Sequence, residues 1–281
     1  MISDACDRLR DAGADVAEVE WIDNGIAADI GFSGDLANGR AALDPLTVEI
    51  DIVVQSGVSR QKSLIVSDMD STMITVECID ELADYAGIKP QIAAITERAM
   101  QGELDFAAAL KERVALLAGL DESVIARCLD ERVRPMPGAI TLIRTMAGWG
   151  AHGILVSGGF TAFAGPVAGL IGFQEFHANL LAVEGGLLTG GLSGDIVDAA
   201  AKRSIMTNAA DALGLSGDRI VAVGDGANDL PMIEAVMGGG GLGIAYHAKP
   251  LVAAAAGAAI RHGDLTALLY AQGIPRAKWV L

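Results

Sequence analysis

The first 60 residues follow a different pattern of apolar and polar positions from the rest of the chain. An opening helix-like stretch is followed by two apolar runs, 17–22 and 26–32, joined by Asp23-Asn24-Gly25. Asn-Gly between such runs signals a hairpin. The spacing then predicts a short helix over 35–43, stopped by Asp44-Pro45, and a strand over 47–54, where apolar and polar residues alternate. The polar stretch 55–63 reads as a linker. These elements make a small α+β unit, and the predicted division is 1–60 followed by 61–281.

From Ser63 onward the pattern becomes short, unbroken apolar runs separated by helical periodicity. The runs are 63–67, 153–156, 219–223 and 241–245. Strands without a polar face imply a mostly parallel sheet covered on both sides, hence an α/β fold. Between the first and second runs lies an interval far too long for one crossover helix. It carries four helix-like segments, 79–86, 90–100, 106–117 and 122–129, and returns to the sheet through Arg134-Pro135-Met136-Pro137-Gly138. The prediction is a helical subdomain, about 76–136, inserted in the core. The stretch 178–190 is hairpin-like, and with the run Gly238-Gly239-Gly240-Gly241 it reads as a local irregularity.

Composition narrows the class. The chain has 281 residues, 52% hydrophobic and 20% charged, which fits a folded globular protein. Its net charge of −16 opposes a sequence-independent hold on nucleic acid or anionic membrane, so neither is expected as a partner. Residues 153–173 carry no charge, yet they contain several glycines and Pro166 and read as strand, Ser157-Gly158-Gly159 turn and helix rather than as a bilayer span. Cys6, Cys78 and Cys128 form no paired framework, and the N-terminus shows no export signal, so a reducing cytoplasm is expected.

The chemistry concentrates at strand ends. The first apolar strand runs into Asp68-Met69-Asp70-Ser71-Thr72, and the third into Gly224-Asp225-Gly226-Ala227-Asn228-Asp229. Open α/β sheets bind ligands at the carboxyl ends of strands. An aspartate there can attack phosphorus while a second carboxyl donates and accepts the proton. Four carboxylates in one crevice repel each other unless a hard divalent cation sits among them, and Mg²⁺ suits carboxylate and phosphate oxygens. Ser157-Gly158-Gly159 offers a hydroxyl and backbone amides for phosphoryl oxygens, and Lys202 a cation. Taken singly, Ser157-Gly158-Gly159 reads as an ordinary turn and Lys202 as a surface lysine.

In this order the four segments resemble the haloacid dehalogenase-like superfamily. With Glu77-Cys78-Ile79-Asp80-Glu81, residues 100–106, Arg113 and Phe160, they resemble its phosphoserine phosphatase family. The resemblance covers about residues 63–270. It implies a Rossmann-like core with a C1-type helical cap and hydrolysis of O-phospho-L-serine to L-serine and phosphate through an aspartyl-phosphate, the last step of serine biosynthesis. It implies Asp68 as nucleophile and Asp70 as general acid and base, with Mg²⁺ held by Asp68, Asp225 and the backbone carbonyl of Asp70. Ser157, Gly158 and Lys202 would hold the phosphoryl group, Asn228 would contact the phosphate or the attacking water, and Asp229 would position Lys202 or metal-bound water. Glu77 would meet the substrate ammonium and Arg113 its carboxylate, with Met100 and Phe106 closing over the serine moiety.

Rival expectations are a related phosphatase acting on phosphoethanolamine or phosphocholine, a phosphotransfer domain without free turnover, and an amino-acid sensor. The N-terminal unit is shorter than a full ferredoxin-like regulatory module. Dimerisation (a homodimer), serine binding and simple packing all stay open for it.

Overall fold

In the computed structural model, which describes residues 1–100 and 103–281, two sheets of unequal size are present. Gln101, Gly102 and the side chain of Met100 lie outside the described residues. The N-terminal unit comprises α1 (Ile2–Asp11), β1 (Asp15–Asp23), β2 (Ala27–Ser33) and α2 (Leu36–Leu43). β1 and β2 form an antiparallel hairpin, with Gly25 in the left-handed region at its turn (φ 74°). Asp35 caps α2 by accepting the Asn38 amide at 2.9 Å. Ala5, Leu9, Leu43, Leu46 and Val54 make a small core of their own.

The strand predicted over 47–54 does not form. A 3-10 turn occupies Asp44–Val48, and residues 51–56 have no regular secondary structure and no neighbouring strand. Other groups tie this strap down. Arg40 donates to the Val54 carbonyl at 3.2 Å, Gln55 donates to the Ala271 carbonyl at 2.5 Å, and Asp51 accepts the amides of Arg261 and Gly263 at 2.6 and 2.7 Å. Arg60 adds an ion pair to Asp29 and a bond to the Tyr270 carbonyl, so the N-terminal unit is fastened to the last segments of the core.

The main chain of elements continues with β3 (Leu64–Ser67) and four helices, α3 (Cys78–Tyr85), α4 (Lys89–Met100), α5 (Phe106–Ala115) and α6 (Ser123–Glu131). It returns through α7 (Ala139–Gly148), β4 (His152–Phe160), α8 (Thr161–Ile171), β5 (Glu175–Glu184), β6 (Leu187–Ser193) and α9 (Ala199–Ala212). It ends with β7 (Ile220–Gly224), α10 (Leu230–Gly238), β8 (Leu242–Tyr246), α11 (Pro250–Ala255), β9 (Ala258–Ile260) and α12 (Ala267–Ala271). The seven-stranded sheet has the order β6-β5-β4-β3-β7-β8-β9, parallel except where β5 meets β6.

Three sequence expectations change. The stretch 178–190 belongs to the β5–β6 hairpin that edges the main sheet, with Gly185 and Gly186 both at positive φ. β9 is a three-residue, alanine-rich strand that gave no apolar run. Ser157-Gly158-Gly159 is no turn but a bulged continuation of β4. Between the pairs Val156↔His177 and Phe160↔Asn179, β4 carries residues 157–159 where β5 carries only 178.

Two apolar layers cover the sheet. Ile65, Leu155, Val221 and Ile244 face the cluster that includes Phe160, Phe163 and Leu142, while Leu64, Val66, Ala222 and Ala245 face Met206, Met232 and Ile233. Each strand contributes alternate residues to opposite faces, the period-two geometry of a doubly covered sheet. β3 lies between β4 and β7: the chain leaves it toward β4 and later crosses from β6 to β7 on its other side, so the strand order reverses at β3 and a crevice opens at the carboxyl ends of these three strands.

Candidate active site

Sheet order brings the predicted residues together. Asp68 and Asp70 follow β3, Ser157 ends the regular part of β4, and Asp225 follows β7. Lys202 enters from the first turns of α9, whose N-terminus is capped by Asp198 through a 2.8 Å bond from the Ala201 amide.

Lys202 is wholly buried, against its reading as a surface lysine. Its ammonium donates to Asp68 Oδ1 at 2.5 Å and to Asp229 Oδ1 at 2.8 Å. Burial alone would lower its pKa, but the carboxylates of Asp229 and Asp68 override it and hold the ammonium charged. Asp229 Oδ2 in turn accepts the Gly226 amide at 3.0 Å. This close docking needs Gly224, where a Cβ would collide with the Asp229 carboxylate.

Burial raises the pKa of the remaining carboxyls. Burial raises Asp68 well above the ordinary range, with Lys202 opposing and Asp229 and Asp70 adding to it. Asp70 is pushed up to about 6, first by burial and then by the charge of Glu77. Its Oδ1 accepts the Cys78 amide at 3.0 Å and its Oδ2 the Ser157 hydroxyl at 3.3 Å. Asp225 also reaches about 6, through burial, with its Thr72 hydrogen bond (2.9 Å) opposing and Asp229 and Glu77 adding to it. So many acids around one lysine make an electron-rich crevice that suits a hard cation. Asp68, Asp225 and Asp229 each present a carboxylate oxygen within 4.8 Å of the others, so the donor set fits a divalent metal. Lys202 and Gly226 already occupy both Asp229 oxygens, which leaves Asp68 and Asp225 as the better-placed side-chain ligands.

Comparison with known proteins agrees with this geometry. A family model described as haloacid dehalogenase-like hydrolase matches residues 65–234. The chain belongs to the haloacid dehalogenase-like hydrolase family. Within it, the chain is 44% identical over 241 residues to a phosphoserine phosphatase of Streptomyces coelicolor, covering 86% of this chain and 57% of that protein. It is 44% identical over 211 residues to a phosphoserine phosphatase of Albidiferax ferrireducens, covering 73% of this chain and 87% of the relative. The crystal structure of a probable phosphoserine phosphatase from Vibrio cholerae superposes with a TM-score of 0.73 at 30% identity, covering 98% of this chain and 84% of that one.

In this haloacid dehalogenase-like hydrolase the helical subdomain supplies the second wall of the crevice. Phe106, the first residue of α5, reaches across to β4: a Cβ at Gly158 would lie 2.8 Å from its Cζ. Arg113 of the same helix is half-buried. Its guanidinium donates to the Ala109 carbonyl and has no carboxylate within 4.0 Å among the described residues. Burial lowers its pKa, and the charges of Asp80 and Glu77 oppose that. Glu77 sits at the cap entrance, accepting the Ser71 hydroxyl at 2.7 Å, with Ser71 itself in the left-handed region (φ 57°). Asn228 stands in the turn after Asp225, its side chain without a hydrogen bond among the described residues. The Met100 side chain lies outside the described residues.

Sequence reasoning gave one polar residue no role and missed another. Thr72, quoted in the Asp68–Thr72 segment, is buried and orients Asp225 from the facing loop. Asn179, only 2% exposed on β5, donates to the Gly158 carbonyl and accepts the Val197 amide, each at 2.8 Å. Asn179 is one of several polar residues in β5, beside Glu175 and His177, and only its burial sets it apart.

Proposed function

We propose that the chain hydrolyses O-phospho-L-serine to L-serine and phosphate through an aspartyl-phosphate on Asp68, with Mg²⁺ as its metal. The observation that carries the substrate assignment is Arg113: a half-buried guanidinium on the cap wall, unpaired with any carboxylate among the described residues, in the field of Glu77. A planar cation and a nearby acid complement the carboxylate and ammonium of a zwitterionic amino acid. Relatives named phosphoserine phosphatase support the same reading.

Asp68 Oδ1 is held by Lys202, and its other oxygen carries no hydrogen bond among the described residues, so a lone pair there is open to phosphorus. As the Asp68–phosphorus bond forms, the bond from phosphorus to the serine oxygen breaks, and protonated Asp70 gives its proton to that oxygen. A pKa near 6 keeps a usable fraction of Asp70 protonated close to neutral pH. Lys202, Ser157 and the Gly158 backbone steady the phosphoryl oxygens, and Asn228 faces them from the β7 side. Asp70, now ionised, next takes a proton from water as that water attacks phosphorus and releases Asp68. A divalent cation held by Asp68, Asp225 and the Asp70 carbonyl would neutralise phosphoryl charge. Contact between Phe106 and Gly158 limits water entry during the first step.

Residues 1–60 are read as a unit distinct from the phosphatase portion 61–281, with its cap at about 76–136. Free, buried cysteines suit a cytoplasmic enzyme.

Phosphate release from L-phosphoserine, phosphoethanolamine and phosphocholine, with Mg²⁺ or with excess chelator, tests the reading. Strong Mg²⁺-dependent preference for phosphoserine is expected, with Asp68→Asn inactive. Preference for the esters lacking a carboxylate overturns the substrate, and activity in chelator overturns the metal.

A further inference from the structure

We propose that Asn179 is a positioning residue that sets the phosphoryl cradle by holding two of its elements in register. The inference rests on the proposed phosphatase reading and adds to it a residue outside the segments that carry the family resemblance.

The argument begins with the bulge in β4. Two extra residues interrupt its pairing with β5, and the segment displaced from the regular ladder is the one proposed to hold the phosphoryl group. Backbone freed from a ladder must find other partners. Asn179 provides one: its Nδ2 donates to the Gly158 carbonyl at 2.8 Å. The amide orientation is dictated by its partners, because a carbonyl only accepts and the Val197 amide only donates.

The Gly158 carbonyl and the Gly159 amide belong to a single planar peptide unit, so fixing one end fixes the other. At the far end, the Gly159 amide donates to Ser157 Oγ at 2.8 Å. With its lone pair engaged there, the Ser157 hydroxyl sends its own proton to Asp70 Oδ2 at 3.3 Å. A continuous chain of hydrogen bonds therefore runs from Asn179 through one peptide to the serine hydroxyl and the general acid.

The other face of Asn179 reaches the second element. Val197, whose amide it accepts, immediately precedes Asp198, the cap of α9, and Lys202 donates its own backbone amide to the Asp198 carbonyl at 2.9 Å. One buried side chain thus spaces the Ser157-Gly158 backbone from the helix that carries Lys202. No residue of the cap or the serine-reading groups shares a hydrogen bond with it among the described residues. Its hydrogen bonds accordingly reach only groups assigned to the phosphoryl half of the substrate.

The test compares Asn179→Asp, Asn179→Ser and wild type. The Asn179→Asp variant would keep the shape and the acceptor toward Val197 but turn an oxygen on the Gly158 carbonyl, whereas Asn179→Ser is small and neutral and guards against a failure to fold. The expected result is a fall of about tenfold or more in kcat/KM, by the same factor for phosphoserine and p-nitrophenyl phosphate. Inhibition by inorganic phosphate should weaken at least several-fold while inhibition by L-serine is unchanged. A purely structural role would lower thermal stability and the active fraction but leave the phosphate inhibition constant where it was, and that result overturns the proposal. If wild type releases no phosphate from phosphoserine, the substrate reading fails by itself. Calorimetric titration of wild type and both variants with inorganic phosphate in Mg²⁺ then decides the role of Asn179: unequal affinities uphold it, equal affinities end it.

Discussion

The Lys202 ammonium, fully removed from solvent, reaches Oδ1 of Asp68, itself buried to all but 8% of its side chain, at 2.5 Å. A buried ion pair is costly to assemble but costlier to break, because removing one partner strands the other. Lys202→Met should therefore reduce turnover by about a hundredfold or more and lower thermal stability, since Asp68 and Asp229 lose their shared cation. Steady-state phosphate release and scanning calorimetry on the same sample check both effects.

Arg113→Ala should raise KM for phosphoserine by about ten- to a hundredfold, the weight of a bidentate guanidinium–carboxylate contact. Phosphoethanolamine, which has no carboxylate, should show little change. Equal losses on the two substrates would remove Arg113 from the specificity pocket.

Stability should depend on pH in an unusual direction. Asp70 and Asp225 are raised from 3.8 to about 6 in the folded state, chiefly by burial. A carboxyl raised on folding binds its proton more tightly in the folded chain, so its contribution is full below the unfolded value and is lost as pH rises through about 6. In excess chelator, the melting temperature should be higher at about pH 5 than at about pH 7.5. Added Mg²⁺ should shrink that difference by favouring the ionised carboxylates.

Gly158→Ala would set a methyl 2.8 Å from Phe106 Cζ, within contact distance, so the ring must withdraw. KM should rise for every phosphomonoester. A second change, Phe106→Leu, should recover part of the loss, and the double-mutant cycle in kcat/KM measures the coupling.

The acid-bearing loops were legible in the sequence because unbroken apolar runs mark buried strands and reactive groups sit at their carboxyl ends. Lys202 became legible only as a member of an ordered set, since nothing local separates a buried lysine from an exposed one. Residues 47–54 misled because alternation marks any extended segment with one apolar side, and this one packs Ile52 and Val54 inward with no strand beside it. Asn179, and the role of Thr72, stayed hidden for a different reason: both act through hydrogen bonds to residues distant in sequence, which periodicity does not encode.

The two crossings between core and cap lie side by side. Ile74 bridges Pro135, Thr75 donates to the Arg134 carbonyl at 3.0 Å, and Met136 donates to the Met73 carbonyl at 2.8 Å. A subdomain that leaves and re-enters through one doorway is modular: a different lid of any size can be grafted there without re-threading the sheet. Under the proposed roles of Asp68 and the cap, selectivity and bond-breaking belong to separate segments, and replacing residues 76–136 should redirect the enzyme to a new ester.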